Sequence, residues 1–365
     1  MSRTVLFNVQ FAYRERADSG SAVRPAALRA AFEAAGWEVR EVSGHRRARA
    51  AEVRRLLPDL ARLDPETTLL YAESSTVPHV FDGRTHLPGP SPDLELARAA
   101  RRHGIRSGLF YRDMYWRFLT PSGLRERAIA ALYAPFYRAE LRAYAAAYDV
   151  LFAPTASLLA DAPEVRGARI VPLPPGAPLR PPTALTAPRT PGLVVHVGGV
   201  TDGRGVYDLE PLVRGAEAAG APVRFICRPG EWAAARSHYE PAPGLTVHHA
   251  TGAEKDALLA SADLAGLVFA PHAYRARAFP VKLFEYLEAG LPIVASGPSE
   301  AADFVAAHGV GWAVEATPAA VADLLAALSR DPQAVAAVRA RIPAVLAEHR
   351  WTARVDTIAS TLLAP

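Results

Sequence analysis

Apolar and polar positions along this chain fall into two alternating rhythms. Short unbroken apolar runs predict strands buried on both faces, and stretches with apolar residues every three or four positions predict amphipathic helices. In the first half the pattern predicts a strand over residues 4–9, a helix over 25–35 that stops at Gly36, a strand over 38–42 and a helix around 51–63. Further strands are expected at 68–72, 106–111 and 150–154. Between the last two lies the apolar, arginine-bearing stretch 123–148, which Pro135 should split into two helical pieces, because proline lacks an N–H and crowds the preceding turn. Residues 171–192 hold eight prolines and few apolar side chains, the pattern of an extended linker. A second series then starts with a strand at 193–197 and continues through a helix at 209–219, strands at 223–227 and 245–248, a helix at 254–262 and a strand at 264–269. The tail 331–363 is predicted helical with a break near Pro343. Strand and helix alternate throughout, which implies an α/β chain with parallel sheets. The expected domains are 1–172, with 351–365 returning to it as a closing helix, and 192–350, joined by a linker over 173–191.

A length of 365 residues suits two domains with full cores, and 50% hydrophobic with 21% charged residues is ordinary for a globular protein. No run of 18 apolar residues occurs, so no membrane span is expected. The chain enters its first strand without a signal-peptide pattern, and its single cysteine, Cys227, fits a reducing compartment; a cytoplasmic location is the expectation. Cys227 ends a strand, where an inert thiol is the simplest reading. Charge is unevenly spread. Residues 1–172 carry 25 arginines against 19 acids, net +6, whereas 192–349 carry 12 basic residues against 17 acids, net −5. The basic first half is expected to make weak contact with an anionic membrane surface, on the inner face, or with an anionic acceptor, through arginines such as Arg125, Arg127, Arg138 and Arg142. Nucleic acid is not an expected partner, since no helix-turn-helix, zinc or stacking-aromatic motif accompanies the arginines.

Of 41 basic residues only Lys255 and Lys282 are lysines. A lysine retained in so arginine-biased a chain points to a place for a compact, flexible ammonium rather than a planar guanidinium. Lys282 lies in residues 279–296, Phe-Pro-Val-Lys-Leu-Phe-Glu-Tyr-Leu-Glu-Ala-Gly-Leu-Pro-Ile-Val-Ala-Ser, which reads as loop, helix, Gly-x-Pro turn and buried strand. A cationic loop at a helix start favours phosphate, because free N–H groups point there; an ordinary Lys282–Glu285 pair on a helix is the plainer alternative. Upstream, residues 196–205, His-Val-Gly-Gly-Val-Thr-Asp-Gly-Arg-Gly, follow the first strand of the second half. Gly198, Gly199 and Gly205 would let backbone approach a diphosphate and Arg204 would neutralise it, or the segment is a plain glycine-rich turn. Arg228 and Glu231 stand just past Cys227, at the carboxyl edge where ligands of open α/β sheets bind; nucleobase contact and a solvated loop are both open.

The 279–296 segment resembles the donor signature of GT-B glycosyltransferases, Glu-x7-Glu-Ala-x-x-x-Gly-x-Pro-Val-Val-Ala, and is similar to its Pro-x-Lys-Leu-Phe-Glu-Tyr subgroup, common in bacterial surface-polysaccharide and secondary-metabolite enzymes. The resemblance implies two Rossmann-like domains facing a cleft, with the C-terminal helix crossing back to the first. It places Glu285 on the ribose hydroxyls of a nucleotide-diphosphate sugar, UDP- or GDP-linked, with Lys282 and Leu283 in the same donor segment. The first signature glutamate is replaced by Arg277, so the donor sugar is left open. Residues 196–205 resemble the family's Tyr-Val-Gly-Arg-x4-Lys-Gly, with Gly199 in the arginine's place and Arg204 in the lysine's. In the first domain, Gly20 and Ser21 take the place of glycines lining the acceptor side, though helix capping by Ser21 serves as well. The run 110–117, Phe-Tyr-Arg-Asp-Met-Tyr-Trp-Arg, falls where the family often places an acid/base. Asp113 could take a proton from an acceptor hydroxyl with Arg112 orienting it, or the two form an ion pair that staples the loop. Tyr111, Tyr115 and Trp116 suit stacking on a sugar, and equally an apolar core. The expected activity is hexosyl transfer to a glycan, lipid-linked or small-molecule acceptor, with no cofactor and no metal. A nucleotide-sugar epimerase or hydrolase and a non-catalytic polyanion-binding protein are the alternatives.

Overall fold

A computed structural model of the chain describes residues 3–13, 20–78, 80–81, 89–118, 121, 123–178, 188–201 and 205–363. The chain divides into two compact units, Met1–Leu179 with Arg350–Pro365, and Arg180–His349.

Unit 1 runs β1 (Arg3–Val9), α1 (Gly20–Ala34), β2 (Trp37–Ser43), α2 (Arg46–Leu56), β3 (Thr68–Glu73), α3 (Pro92–Arg102), β4 (Arg106–Phe110), α4 (Tyr115–Phe118), α5 (Leu124–Ala147), β5 (Val150–Ala153), α6 (Ala156–Ala160) and β6 (Ile170–Pro172). Its six strands form one parallel sheet in the order β2-β1-β3-β4-β5-β6. Chain order reverses at the β1/β3 pair, and the crevice beyond the carboxyl ends of such strands is where open α/β sheets take ligands. The inner strands are buried along nearly their whole length, β3 entirely, which is why they read as unbroken apolar runs.

Unit 2 runs β7 (Val194–Val197), α7 (Glu210–Ala219), β8 (Val223–Ile226), α8 (Pro229–Tyr239), β9 (Leu245–His248), α9 (Gly252–Ala260), β10 (Leu264–Leu267), α10 (Ala273–Arg277), α11 (Lys282–Glu288), β11 (Ile293–Gly297), α12 (Glu300–His308), β12 (Gly311–Glu315), α13 (Pro318–Arg330) and α14 (Pro332–Glu348). Its parallel sheet has the order β12-β11-β10-β7-β8-β9, the Rossmann arrangement, with the reversal between β7 and β10. Helices α12, α13 and α14 start on side-chain caps: Ser299, Thr317 and Asp331 each accept a backbone N–H three residues on.

The last helix, α15 (Trp351–Leu363), belongs to unit 1. Trp351, Val355, Ile358 and Leu362 join the cluster of Val5, Phe7, Leu69 and Phe152. The proline-rich segment also begins inside this unit. Residues 170–172 are its edge strand, Leu173 and Ala177 are buried, and Arg354 donates to the carbonyls of Pro174 and Pro175 at 3.1 Å.

Three local expectations need correction. Helix α5 continues unbroken through Pro135. Phe136 packs on Phe81 and Tyr137 stacks on Trp116, while Glu140, Leu141, Tyr144 and Ala147 are buried one to three turns on. That packing, with Tyr133 on Phe81 just before the proline, keeps the helix continuous against a penalty of about 3 kcal/mol for an interior proline. Pro343 is likewise carried inside α14, with Ile342, Val345 and Leu346 buried around it, and the helical tail breaks instead after Glu348. Helix α1 begins at Gly20, so Pro25 and Ser21 are both helical and Ser21 is not a cap residue. Helix α3 is not anticipated by the apolar pattern, although Ser91 and Pro92 give it a regular start, with the Ser91 hydroxyl accepting from Leu94 N–H.

Candidate active site

In unit 2 the candidate residues gather where β7 and β10 diverge. Gly198 follows β7, and its φ of 134° is one that residues with a side chain rarely adopt. Gly199 comes next, and a Cβ there would stand 3.1 Å from the Tyr207 ring. A side chain at this position would require the Tyr207 ring to give by a few tenths of an ångström. A cation lies close by. Arg275 on α10 sits 3.8 Å over the Phe269 ring and 5.6 Å from that of Tyr207. It borders a cavity of about 290 Å³ at the carboxyl ends of β10 and β11, walled also by Pro271, His272, Ser296 and Ser299. Arg204 lies outside the described residues, and Gly205 is exposed with φ 79°.

His196, the last-but-one residue of β7, ties the glycine turn to the sheet. Its ring nitrogens lie 3.0 Å from the Gly266 carbonyl and 3.2 Å from that of Gly199. Burial, outweighing the pull of the two carbonyls and helped by the charges of Arg275 and Lys282, lowers its pKa to about 4, so the ring is neutral at ordinary pH and donates its one N–H to one of the two carbonyls.

Helix α11 is docked against the same strand end, since Val197 N–H donates to the Tyr286 hydroxyl at 2.7 Å. On its first turn, Lys282 Nζ reaches Glu285 Oε2 at 2.7 Å. Lys255, from α9, donates to the other oxygen, Oε1. The only two lysines of the chain thus bracket a single carboxylate. Burial pushes Glu285 toward the neutral acid, but the charge of Lys282 and the hydrogen bonds of both lysines outweigh it, and the group titrates below the usual carboxylate range. The Lys282–Glu285 pair is real, and it is also part of a larger cluster. Lys255 was legible as the second retained lysine, yet nothing in its local sequence couples it to Glu285, 30 positions on. Leu283 is fully buried, so its side chain serves the core, while its N–H bonds Pro280 O at 3.1 Å. Arg228 is exposed and pairs with Glu231 at 2.7 Å across the first turn of α8.

In unit 1 the carboxyl edge carries a buried cluster around Glu73, the last residue of β3. Arg24 lies 3.2 Å from one oxygen and Arg112 3.5 Å from the other, and the Tyr71 hydroxyl donates at 3.0 Å. Arg112, expected to orient Asp113, is thus an ion-pair partner of Glu73, with its guanidinium 4.7 Å from the Phe11 ring. Asp113 itself is half-buried and accepts from the Thr76 hydroxyl at 3.2 Å. Loss of water raises its pKa to about 6, against the opposing pull of the Arg112 charge and its hydrogen bonds. A carboxylate tuned to that range can accept a proton near neutral pH.

Tyr111 is buried, and its hydroxyl accepts from Trp116 Nε1–H at 3.2 Å, so it braces the loop and offers no open face for a sugar. Trp116 is half-buried with one face stacked on Tyr137 at 5.4 Å, and Tyr115 is half-buried at the start of α4. Gly20 and Ser21 form the first turn of α1. Among the described residues one group has metal-ligand character, Asp208, Glu210 and His238, and there Asp208 Oδ1 already accepts from the His238 ring and the Glu210 amide.

No protein-family model and no curated protein matches the sequence. Solved structures do match across the whole chain. A sucrose-phosphate synthase from Thermosynechococcus elongatus superposes with a TM-score of 0.61 at 14% identity, over 99% of this chain and 98% of that one. The trehalose-6-phosphate synthase OtsA gives 0.58 at 15%, over 100% and 99%. A glycosyltransferase of avilamycin A biosynthesis gives 0.56 at 17%, over 100% and 98%. The fold is GT-B, as the donor-signature resemblance implied.

Proposed function

We propose that this chain is a glycosyltransferase that uses a nucleotide-diphosphate sugar, with unit 2 as the donor-binding unit. The observation that carries this reading is the Lys255–Glu285–Lys282 cluster beside the glycine turn, at the reversal point of a Rossmann-ordered sheet. An ionised carboxylate can accept both hydroxyls of a ribose diol. Each Glu285 oxygen is engaged by one lysine and keeps a second lone pair, so a diol can be accepted beside the ammoniums or in place of one. Lys282, the more exposed of the two, is the one free to turn toward the diphosphate. Lys255 then remains to keep Glu285 ionised. As the bond from the anomeric carbon to the diphosphate breaks, charge gathers on the departing oxygens, and Lys282 and Arg275 are the cations at hand to stabilise it. On unit 1, Asp113 takes the proton of the acceptor hydroxyl as its oxygen attacks. UDP is the favoured nucleotide, because one fold relative was solved with UDP and glucose and another is described as UDP-forming. The acceptor class is a hydroxylated glycan, lipid-linked glycan or natural product.

The test is a thermal-shift panel of UDP, GDP and ADP with their glucose conjugates, run on the wild type and on Lys282→Ala. A ligand at one hundred times its Kd stabilises the native state by about 2.7 kcal/mol. One nucleotide should raise the melting temperature of the wild type, and clearly less that of the variant. Absence of any shift across the panel would remove the donor reading.

A further inference from the structure

We infer that the amino-terminal half of α5 is a membrane-docking helix, which lies on an anionic bilayer without crossing it. Most of unit 1 hides its apolar side chains, but this segment does not. Leu124 is 85% exposed, Leu132 65% and Ile129 47%. Leu124, Ala128, Ala131, Leu132, Pro135 and Ala139 recur at three- and four-residue spacing and are all exposed, so one face of the helix is a continuous apolar stripe. The opposite face is anchored by Phe136 on Phe81, Tyr137 on Trp116, and the buried Glu140, Leu141 and Tyr144. The stripe is therefore a fixed surface of a packed helix.

Charge names the occupant. At 3.6 residues per turn, Arg125 borders the stripe on one side, Arg127 and Arg138 border it on the other, and Arg142 continues it toward the carboxyl end. The guanidinium groups of Arg125, Arg127 and Arg142 have no partner among the described residues, and Arg138 meets Glu164 only at 3.8 Å. The two acids of the helix are withdrawn, Glu140 buried and Glu126 half-buried. An apolar strip flanked by cations on both sides matches a bilayer, where acyl chains take the strip and anionic headgroups meet the arginines. A second copy of the chain would set these unpaired arginines against one another. Among the described residues no helix is long and apolar enough to cross a membrane, and α5 with four arginines lies flat.

The experiment is co-sedimentation of the full chain with phosphatidylcholine vesicles and with vesicles containing about one-third phosphatidylglycerol, at low and high salt. The wild type should bind the anionic vesicles at low salt and release as salt rises. Leu124→Asp with Leu132→Asp alters only exposed positions, so its melting temperature should hold while vesicle affinity falls about tenfold or more. Arg125→Gln with Arg127→Gln should lose about fivefold per arginine. No binding to anionic vesicles at low salt overturns the inference. Unchanged binding by the Leu124→Asp, Leu132→Asp variant overturns it too, since the spread charge of unit 1 would then suffice. A concentration-dependent dimer abolished by that variant, with no vesicle affinity, would assign the face to a second copy. None of these readings involves turnover or nucleotide, so they stand apart from the donor assignment.

Discussion

Glu73 in unit 1 and Glu285 in unit 2 each stand between two cations, and the two clusters differ in every property that matters for exchange. Glu73 is 0% exposed, held by Arg24 and Arg112, with Arg24 also 3.5 Å over the Phe110 ring. Glu285 keeps 23% of its side chain exposed and is held by two lysines. A guanidinium is planar, multiply bonded and hard to move once stacked, whereas an ammonium on a four-carbon stem can swing to a new partner at little cost. The arginine-held carboxylate is a structural brace. The lysine-held one is a site that a ligand can open. In a chain with 39 arginines, both lysines stand on this one carboxylate.

If the brace is purely structural, chemistry on the unit 1 edge falls to Asp113. Asp113→Asn should lower single-turnover transfer roughly 10²–10⁴-fold while leaving donor affinity intact. The wild-type rate should fall as pH drops below about 6, because protonation removes the base, and the variant's residual rate should lack that limb. A near-normal rate in the variant would move the proton to the departing diphosphate itself.

Glu73→Gln leaves the buried Arg24 and the half-buried Arg112 without their counter-charge, and should cost about 3–5 kcal/mol of unfolding free energy in a denaturant titration. Nucleotide affinity, which the proposal assigns to unit 2, should be unchanged. A loss under about 1 kcal/mol would erase the distinction between brace and exchangeable site.

Lys282→Ala should weaken nucleoside-diphosphate binding by about 1.5–3 kcal/mol by calorimetry, and Lys282→Arg should recover only part of it. Full recovery by arginine would show that a compact ammonium is not required.

Lys255→Met sharpens the same point through pH. Glu285 must be ionised to accept ribose hydroxyls, and its lowered pKa keeps it so well into acid. Removing Lys255 takes away one of the causes of that lowering, so donor binding should be lost at a higher pH than in the wild type as pH falls. Coincident pH profiles would leave Lys255 with no part in the site. The smallest effect is expected for Arg228→Ala. That exposed pair with Glu231 should change stability by less than about 0.5 kcal/mol. A large drop in nucleotide affinity there would restore Arg228 to the donor site.

Much of this was legible in the sequence, and the rest was not for a definite reason. The strand runs over 4–9, 68–72 and 264–269 and the Gly-x-Pro turn around Gly290 depend on contacts within a pleat or a helical turn, so periodicity reports them. The retained lysine and its spacing to Glu285 also lie within one turn. By contrast, the partners of Glu285 and Glu73 come from elements 30 to 49 positions away, joined only by sheet order. Arg112 stands next to Asp113 in sequence, yet the β3–β4 pairing delivers it to Glu73. Pro135 and Pro343 carry a local penalty that reads as a break, and packing beyond Pro135 and on both sides of Pro343 overrode it.

By itself the sequence determined the alternation of strands and helices, the two-part organisation, and the pairing of one lysine with one carboxylate on one helical turn. Each of those rests on interactions between near neighbours in the chain. Only the tertiary structure decided that a second lysine shares that carboxylate, that Arg112 braces Glu73 and leaves Asp113 to Thr76, and that Leu124 and Leu132 of α5 face outward. Those outcomes depend on which surfaces meet when the sheets assemble, and burial, pairing and exposure are properties of that assembly.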